Sequence, residues 1–313
     1  MIAQISAANT SGSGSISLTA GCTYVLTDAE TTGPNGANGL PTITGNVTIS
    51  GTGATITRAS ASPFRIAEVA AQGSLALYGV TVSGGSATSA PGTTGGGILT
   101  LGRLMAHNSR ITANAASGAG GGIAVASGAT AQLNNTVVTG NSASDGGGIH
   151  VTDAGSLTVN GGSVTDNTAT YTGGGLATFG TTVLANTAVR DNETESFEGG
   201  GIFTATGPLT VNGGSVSDNT ATSHGGGIVN FGSVLRLQGT TVRGNEAGLD
   251  GGGLYHGGGT STLLSGSVTG NTAGGQGGGV YRAEGDVILT GTPVNGNAPD
   301  NCAPPGTVVG CGQ

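Results

Sequence analysis

The sequence predicts an all-β chain wound as a parallel β-helix, three strands per coil of about 26 residues. Three observations predict it. First, a triple glycine followed by an aliphatic residue returns eight times, at Ile98, Ile123, Ile149, Leu176, Ile202, Ile228, Leu254 and Val280, with spacings of 25, 26, 27, 26, 26, 26 and 26. Second, asparagine keeps the same beat at Asn114, Asn141, Asn167, Asn192, Asn219, Asn245, Asn271 and Asn297. Third, 66 of the 313 residues are glycine, and Thr, Val and Ser fill most of the rest, a composition that disfavours helix while 35% hydrophobic residues still supply a core.

The elements follow in order. Residues 1 to 12 read as a short amphipathic helix carrying Ile2 and Ile5, suited to covering the open edge of the first coil. With the lead-in they form an N-terminal cap over 1–40. NVTISGTGATITR and SLALYGVTVSGG then alternate without the full signature, so the coils are placed at 41–297. Each period holds three alternating segments, as in GGGIHV, SLTVNG and GSVTDN within residues 146 to 167. The Val of Val-x-x-Asn and the aliphatic after the glycines point into a stacked core. The Asn is expected in a tight turn, bonded to its counterpart about 4.8 Å away in the next coil. The glycines are expected to supply positive φ, or close packing where a Cβ would clash. Residues 298–313, with the loop NCAPPGTVVGC, close the other end of what reads as one elongated domain.

Eight arginines, no lysine and sixteen carboxylates give a formal charge of -8, which argues against nucleic acid as a partner because phosphate binding needs a clustered cationic surface. No apolar run is long enough to span a bilayer, so membrane insertion is not expected. The spacing of Cys302 and Cys311 suits a local disulfide in an oxidising compartment, with metal binding or free thiols as alternatives, and Cys22 is left over. The opening MIAQISAAN reads like the inside of a domain, so a secretion signal is expected to have been removed upstream of a secreted or surface protein, expected as a monomer.

Because residues in one row of successive coils become neighbours, the sequence can be read vertically. The row before the glycines is Thr94, Ala119, Asp145, Thr172, Glu198, His224, Asp250 and Gln276. Glu198, His224 and Asp250 then stand on consecutive coils, with His224 between two carboxylates. The row after the aliphatic ends Phe203, Val229, Tyr255 and Tyr281, and the next ends Asn230, His256 and Arg282. Three readings of this C-terminal-half face stay open: solvent-facing turn residues, a ligand groove in which Phe203, Tyr255, His256, Tyr281 and Arg282 contact a sugar, or acid/base catalysis by Glu198, His224 and Asp250. The six-residue loop ETESFE, residues 193 to 198, is expected to bound the groove. Asp166, Asp191 and Asp218 form a second column whose repulsion calls for Arg190 and Arg243 as partners, for solvation or for a calcium ion; no other metal or cofactor is expected. His107 and His150 are read as surface residues. The outward row Thr112, Thr139, Thr165, Arg190, Ser217, Arg243, Thr269, Asn295 is broken by two arginines, unlike a flat ice-binding face.

GGGI with V-x-x-N resembles the GGA[IL] and FxxN repeats of the chlamydial polymorphic outer membrane proteins, with Val or Ile in place of Phe. ISAANTSGSGSISLTAGCTYVLT and the later GTGATI look like the opening of secreted bacterial β-helix proteins of the pectin-lyase-like superfamily. The resemblance covers nearly the whole chain and implies a right-handed helix. Its members include adhesins, lyases, hydrolases, epimerases and inert stalks, so function must come from the site. A lyase mechanism of the pectate type would have to use arginine as base, and Arg282 is the one on the favoured face. The expectation is therefore an extracellular binding or adhesion module for a polysaccharide or cell-surface glycan, the alternative being a lyase or glycosidase working through Glu198, His224 and Asp250.

Overall fold

The computed structural model describes residues 1–88 and 94–311; Gly312 and Gln313, the end of the expected C-terminal cap, lie outside the described residues. It is a parallel β-solenoid. Each full coil runs through face A, as in Ile149–Val151, face B, as in Ser156–Asn160, and face C, as in Ser163–Thr165. Every one pairs in parallel with the segment one period away: Ile149 with Leu176, Ser156 with Thr181, Ser163 with Ala188. A fourth, shorter ladder follows the asparagine, running from Ser86–Ala87 to Thr272–Ala273.

The core is a set of vertical stacks. All eight aliphatics after the triple glycines are fully buried, and so are Val164, Val189, Val216 and Val242 of the Val-x-x-Asn row. At about 1.5–3 kcal/mol for each fully buried aliphatic, these stacks are the main source of cohesion between coils.

The asparagines form one unbroken hydrogen-bonded ladder. Asn114 Nδ2 donates to Asn141 Oδ1 at 2.9 Å, and the same bond repeats through Asn167, Asn192, Asn219, Asn245, Asn271 and Asn297. From Asn141 onward each Oδ1 also takes the backbone N–H of the asparagine one coil earlier, as Asn219 Oδ1 does from Asn192 at 3.0 Å. The left-handed residue of this turn is the one before the asparagine: Asp166, Asp191 and Asp218 have φ of 54°, 55° and 58°, and Gly244 and Gly270 take the same place. Short polar residues and glycine tolerate that conformation, which accounts for the aspartate column.

The triple glycine has three separate reasons. Gly146 has φ of 59°; a Cβ on Gly147 would lie 2.3 Å from the Thr168 carbonyl oxygen; one on Gly148 would lie 2.6 Å from that of Gly175 and 3.0 Å from the side-chain carbon of Asn167. Glycines and ladder are thus one packing unit.

The helix Ile2–Ser11 buries Ile5 and Ala8 over the first coil, and Asn9 fastens it by donating to Thr42 O at 2.8 Å and accepting from Thr44 N at 2.9 Å. Coiling begins earlier than the expected residue 41. Ser13–Ser17 pairs in parallel with Asn46–Ser50, and Thr23–Leu26 with Thr55–Arg58, because Ile16, Leu18 and Leu26 already supply core positions. An antiparallel hairpin, Thr31–Gly33 with Gly36–Asn38, is held by buried Arg65, whose guanidinium bonds Glu68 Oε2 at 3.1 Å and Asn38 Oδ1 at 2.9 Å. At the far end Cys302 and Cys311 form a disulfide, Cα to Cα 6.4 Å, while Cys22 is a free, exposed thiol. No helix among the described residues is long and apolar enough to cross a membrane.

Candidate functional site

The register stacks the candidate residues as the vertical reading requires. Backbone N–H groups at Gly173, Gly199 and Gly225 donate to the carbonyls of Glu198, His224 and Asp250, so these three sit on consecutive coils. Phe203, Val229, Tyr255 and Tyr281 are likewise direct partners along face A. The glycine bend between the two rows brings them together on its outer side: the His224 and Tyr255 rings have centroids 4.5 Å apart, and Tyr255 and Tyr281 stack at 5.4 Å with planes 6° apart.

The supposed acid/base column holds the turns in place. His224 Nδ1 accepts the Asp250 backbone N–H at 3.2 Å and lies 3.6 Å from Asp250 Oδ2; Asp250 Oδ1 accepts the Gln276 backbone N–H at 2.8 Å. Asp145 accepts from Thr172 Oγ1 at 2.6 Å lower in the same column. Burial pushes the Glu198 carboxyl above the usual carboxylate range, partly offset by nearby His224.

Two of the expected contact residues are covered. Phe203 is 8% exposed, packed against Phe179 at 5.9 Å, and Phe179 in turn meets His150 at 5.5 Å. Nor are the faces of Tyr255 open to a sugar ring, since His224 and Tyr281 occupy them. Two exposed aromatics stand one position further out, Tyr171 at 49% in the fourth-ladder strand Thr168–Thr172 and Phe197 at 53% in the following loop, edge to face at 6.3 Å, with Leu249 at 49% two coils beyond Phe197; Phe231, at 56%, is exposed on the bend after face A. Their backbones are pinned coil to coil, Glu198 N to Tyr171 O at 3.1 Å, Ser223 N to Phe197 O at 3.1 Å and Leu249 N to Ser223 O at 2.9 Å. The loop ETESFE therefore contributes through its phenylalanine.

His256 does not lie on the face. Face A alternates in, out, in, so the residue two after Leu254 points inward, and His256 is fully buried. Its Nδ1 meets Ser261 Oγ at 2.8 Å, Asn230 Nδ2 reaches the same Oγ at 3.0 Å, and the His256 Nε2 has no partner among the described residues. Arg282, next in that row, turns its Nε to Gly285 O at 2.6 Å, with Asp286 at 4.0 Å, away from the tyrosines. His150 is likewise half-buried against Phe179, not solvated.

Burial, then repulsion from Arg282, holds the His256 imidazole below its ordinary range despite Gly259 and Asp286. The unfolded chain therefore takes this proton first, near pH 6.5, and stability drains as pH falls below that value. Melting temperature is expected to drop between about pH 7 and about pH 5, and His256→Gln should flatten that slope. An identical slope in the variant would place the acid-sensitive group elsewhere.

Two of the three column aspartates meet the expected arginines, and the third is held by threonines. Arg190 bonds Asp191, Arg243 lies 3.9 Å from Asp218, and Asp166 takes the hydroxyls of Thr139 and Thr165 at 3.3 and 3.0 Å. No three His, Cys, Asp or Glu side chains among the described residues converge in a way that could hold a metal ion. A concavity of about 810 Å³ runs along the bend between faces B and C in the first coils, away from the candidate face, walled by Tyr78 and His107, stacked at 4.9 Å, and by Arg110, over Gly51, Gly53 and Gly79.

Fold and strip together define a parallel β-solenoid with one aromatic and acidic edge. No protein-family model, curated protein or solved structure matches the chain.

Proposed function

We propose that the protein is an extracellular binding or adhesion module that recognises carbohydrate along the outer edge of its C-terminal-half coils. The observation that carries this reading is the pair Tyr171 and Phe197, half-exposed aromatics on successive, hydrogen-bonded coils. Large apolar rings on a rigid backbone lose little freedom on binding and offer open faces for sugar rings. The disulfide fits an oxidising compartment, and the likeness of the repeats to surface and secreted β-helix proteins points the same way. The alternative, a polysaccharide lyase or glycosidase, draws support from the raised Glu198 carboxyl, as a general acid would need. It is weakened by the use of His224 Nδ1 and Asp250 Oδ1 as acceptors for backbone amides.

Purified protein applied to a panel of immobilised neutral, acidic and amino polysaccharides is expected to be retained by one class. Tyr171→Ala with Phe197→Ala should weaken that retention about tenfold or more, at the level of about 0.5–1.5 kcal/mol for each lost aromatic contact plus its buried area. Retention unchanged in a double variant of normal melting temperature would overturn the reading. New reducing ends or an unsaturated product released from the panel would instead establish the enzyme.

A further inference from the structure

The bend between faces B and C changes shape in the first coils. Register places Ser17, Ser50, Tyr78 and His107 in one row at the end of face B, and Thr23, Thr55, Thr81 and Arg110 in one row at the start of face C. Two residues separate the rows in the coils of Tyr78 and His107, but four do so in the coil of Ser50 and five in that of Ser17. The extra residues, exposed Ala20, Thr52 and Gly53 among them, form a shelf, and shelf and rings wall the concavity of about 810 Å³ from opposite sides. That size is ordinary for a small-ligand site. Tyr78 and His107 stack with planes 6° apart, and Asn134 lies beyond His107, its Nδ2 3.4 Å from both ring nitrogens. The column of flat groups stops at Tyr78. Its other face looks along the row to Ser50 and Ser17, too small to cover it, and Tyr78 is 41% exposed. Arg110, also exposed, has no ion-pair or hydrogen-bond partner among the described residues, and no carboxylate lines the concavity, although the chain as a whole carries a charge of -8.

We infer that this groove binds a flat aromatic carboxylate, its ring laid on the open face of Tyr78 above Ser50 and its acid group held by the Arg110 guanidinium. A flat ring continues the Tyr78–His107 column over its whole area, where a puckered sugar ring touches only through the hydrogens of one side. The planar fork of an arginine matches a carboxylate with two parallel hydrogen bonds of the stronger, charge-assisted kind. Tyr78 and Arg110 stand on adjacent coils and in different rows, so ring and acid group are joined by a short arm, as in a 3-arylpropenoate. The groove lies in the first coils, apart from the carbohydrate edge, and neither site depends on the other.

Isothermal titration with ferulate, its methyl ester and 3-cyclohexylpropanoate tests it. Ferulate is expected to bind at least about tenfold more tightly than either, since the ester has lost the charge that Arg110 meets and the cyclohexyl acid has lost the flat ring. The advantage over the ester should shrink as salt rises. Arg110→Gln is expected to bring ferulate down to the level of its ester and leave the ester where it was. Tyr78→Ala, at an exposed position, should weaken both about tenfold, and Ser50→Phe, which sets a protein ring where the ligand's would lie, should abolish binding at an unchanged melting temperature. Should the Ser50 variant fail to fold, the Tyr78 and Arg110 variants carry the test. No binding of ferulate, equal affinity for ferulate and its ester, or full affinity in Tyr78→Ala overturns the inference. Binding of digalacturonate with ferulate unbound overturns the aromatic assignment.

Discussion

Asn219→Leu is expected to lower the unfolding free energy by on the order of 3–5 kcal/mol, read by equilibrium denaturation. Asn219 is fully buried, and its Oδ1 is the acceptor for both the backbone and side-chain N–H groups of Asn192. Its Nδ2 reaches Asn245 Oδ1 at 2.9 Å and Val189 O at 3.1 Å. Leucine fills the volume but leaves the Asn192 backbone N–H buried without a partner, and it presses on Gly201, where the Asn219 amide already lies 2.9 Å from where a Cβ would be. An unsatisfied buried donor costs more than its hydrogen bond contributed. Asn295→Leu, at an exposed position two residues before the last ladder asparagine, where only the backbone carbonyl meets the ladder, is the control and should change little. Equal melting temperatures for both variants would mean that the ladder carries no stability.

Gly147→Ala should be at least as damaging, costing several kcal/mol or preventing soluble expression, because the new methyl would sit 2.3 Å from Thr168 O and 2.5 Å from Gly174 O, both backbone atoms of the next coil. The backbone angle of Gly147 is ordinary; space is the sole objection. Gly270→Ala isolates the opposite case. There φ is 66° with nothing within 4 Å of the methyl, so the expected loss is only about 1–2 kcal/mol. Ala113 already occupies the equivalent position one ladder end away, at φ of 54°. A reversal of this order in denaturation midpoints would show that conformation, not coil spacing, fixes the triple glycine.

The architecture was legible because a solenoid writes its geometry as a period: a 26-residue beat, an aliphatic stack and an asparagine stack leave few other ways to satisfy burial and hydrogen bonding at once. The candidate face was legible only in part. Glu198, His224, Asp250, Tyr255 and Tyr281 do meet, since register alone brings them together. His256 shows one limit: the strand alternation that buries Leu254 also turns the second residue after it inward, and membership of a row does not tell which way the row faces. Phe203 shows the converse limit. It points outward, yet Phe179, on the bend that follows face A in the previous coil, covers it, and nothing in the repeat announces that contact. Tyr171 and Phe197 were missed because the segments between asparagine and glycines that carry them, a five-residue strand and a six-residue loop, differ in length and blur the vertical alignment. The early groove was harder to see for a related reason: its first three coils, which carry Ser17, Gly51 and Tyr78, lack the triple-glycine signature that made the later ones countable.

The ladder ends in an unusual partner. Asn297, last on the beat, gives its side-chain and backbone N–H groups to Asn301 Oδ1 at 3.1 and 3.2 Å, only four residues on, so the chain supplies from its own next turn the acceptor that another coil would have offered. At the opposite end Asn114 Oδ1 accepts from the Gly85 backbone, with no asparagine behind it. The series therefore has a starter, the Gly85 backbone N–H, and a stop, the Asn301 side chain, and neither depends on how many members stand between them. Every amide in it also points the same way, carbonyl towards the helix-capped end, so whole periods can be gained or lost by recombination between near-identical repeats while both termini, and the direction of the row, stay as they were. Rod length becomes a quantity that evolution can tune separately from closure.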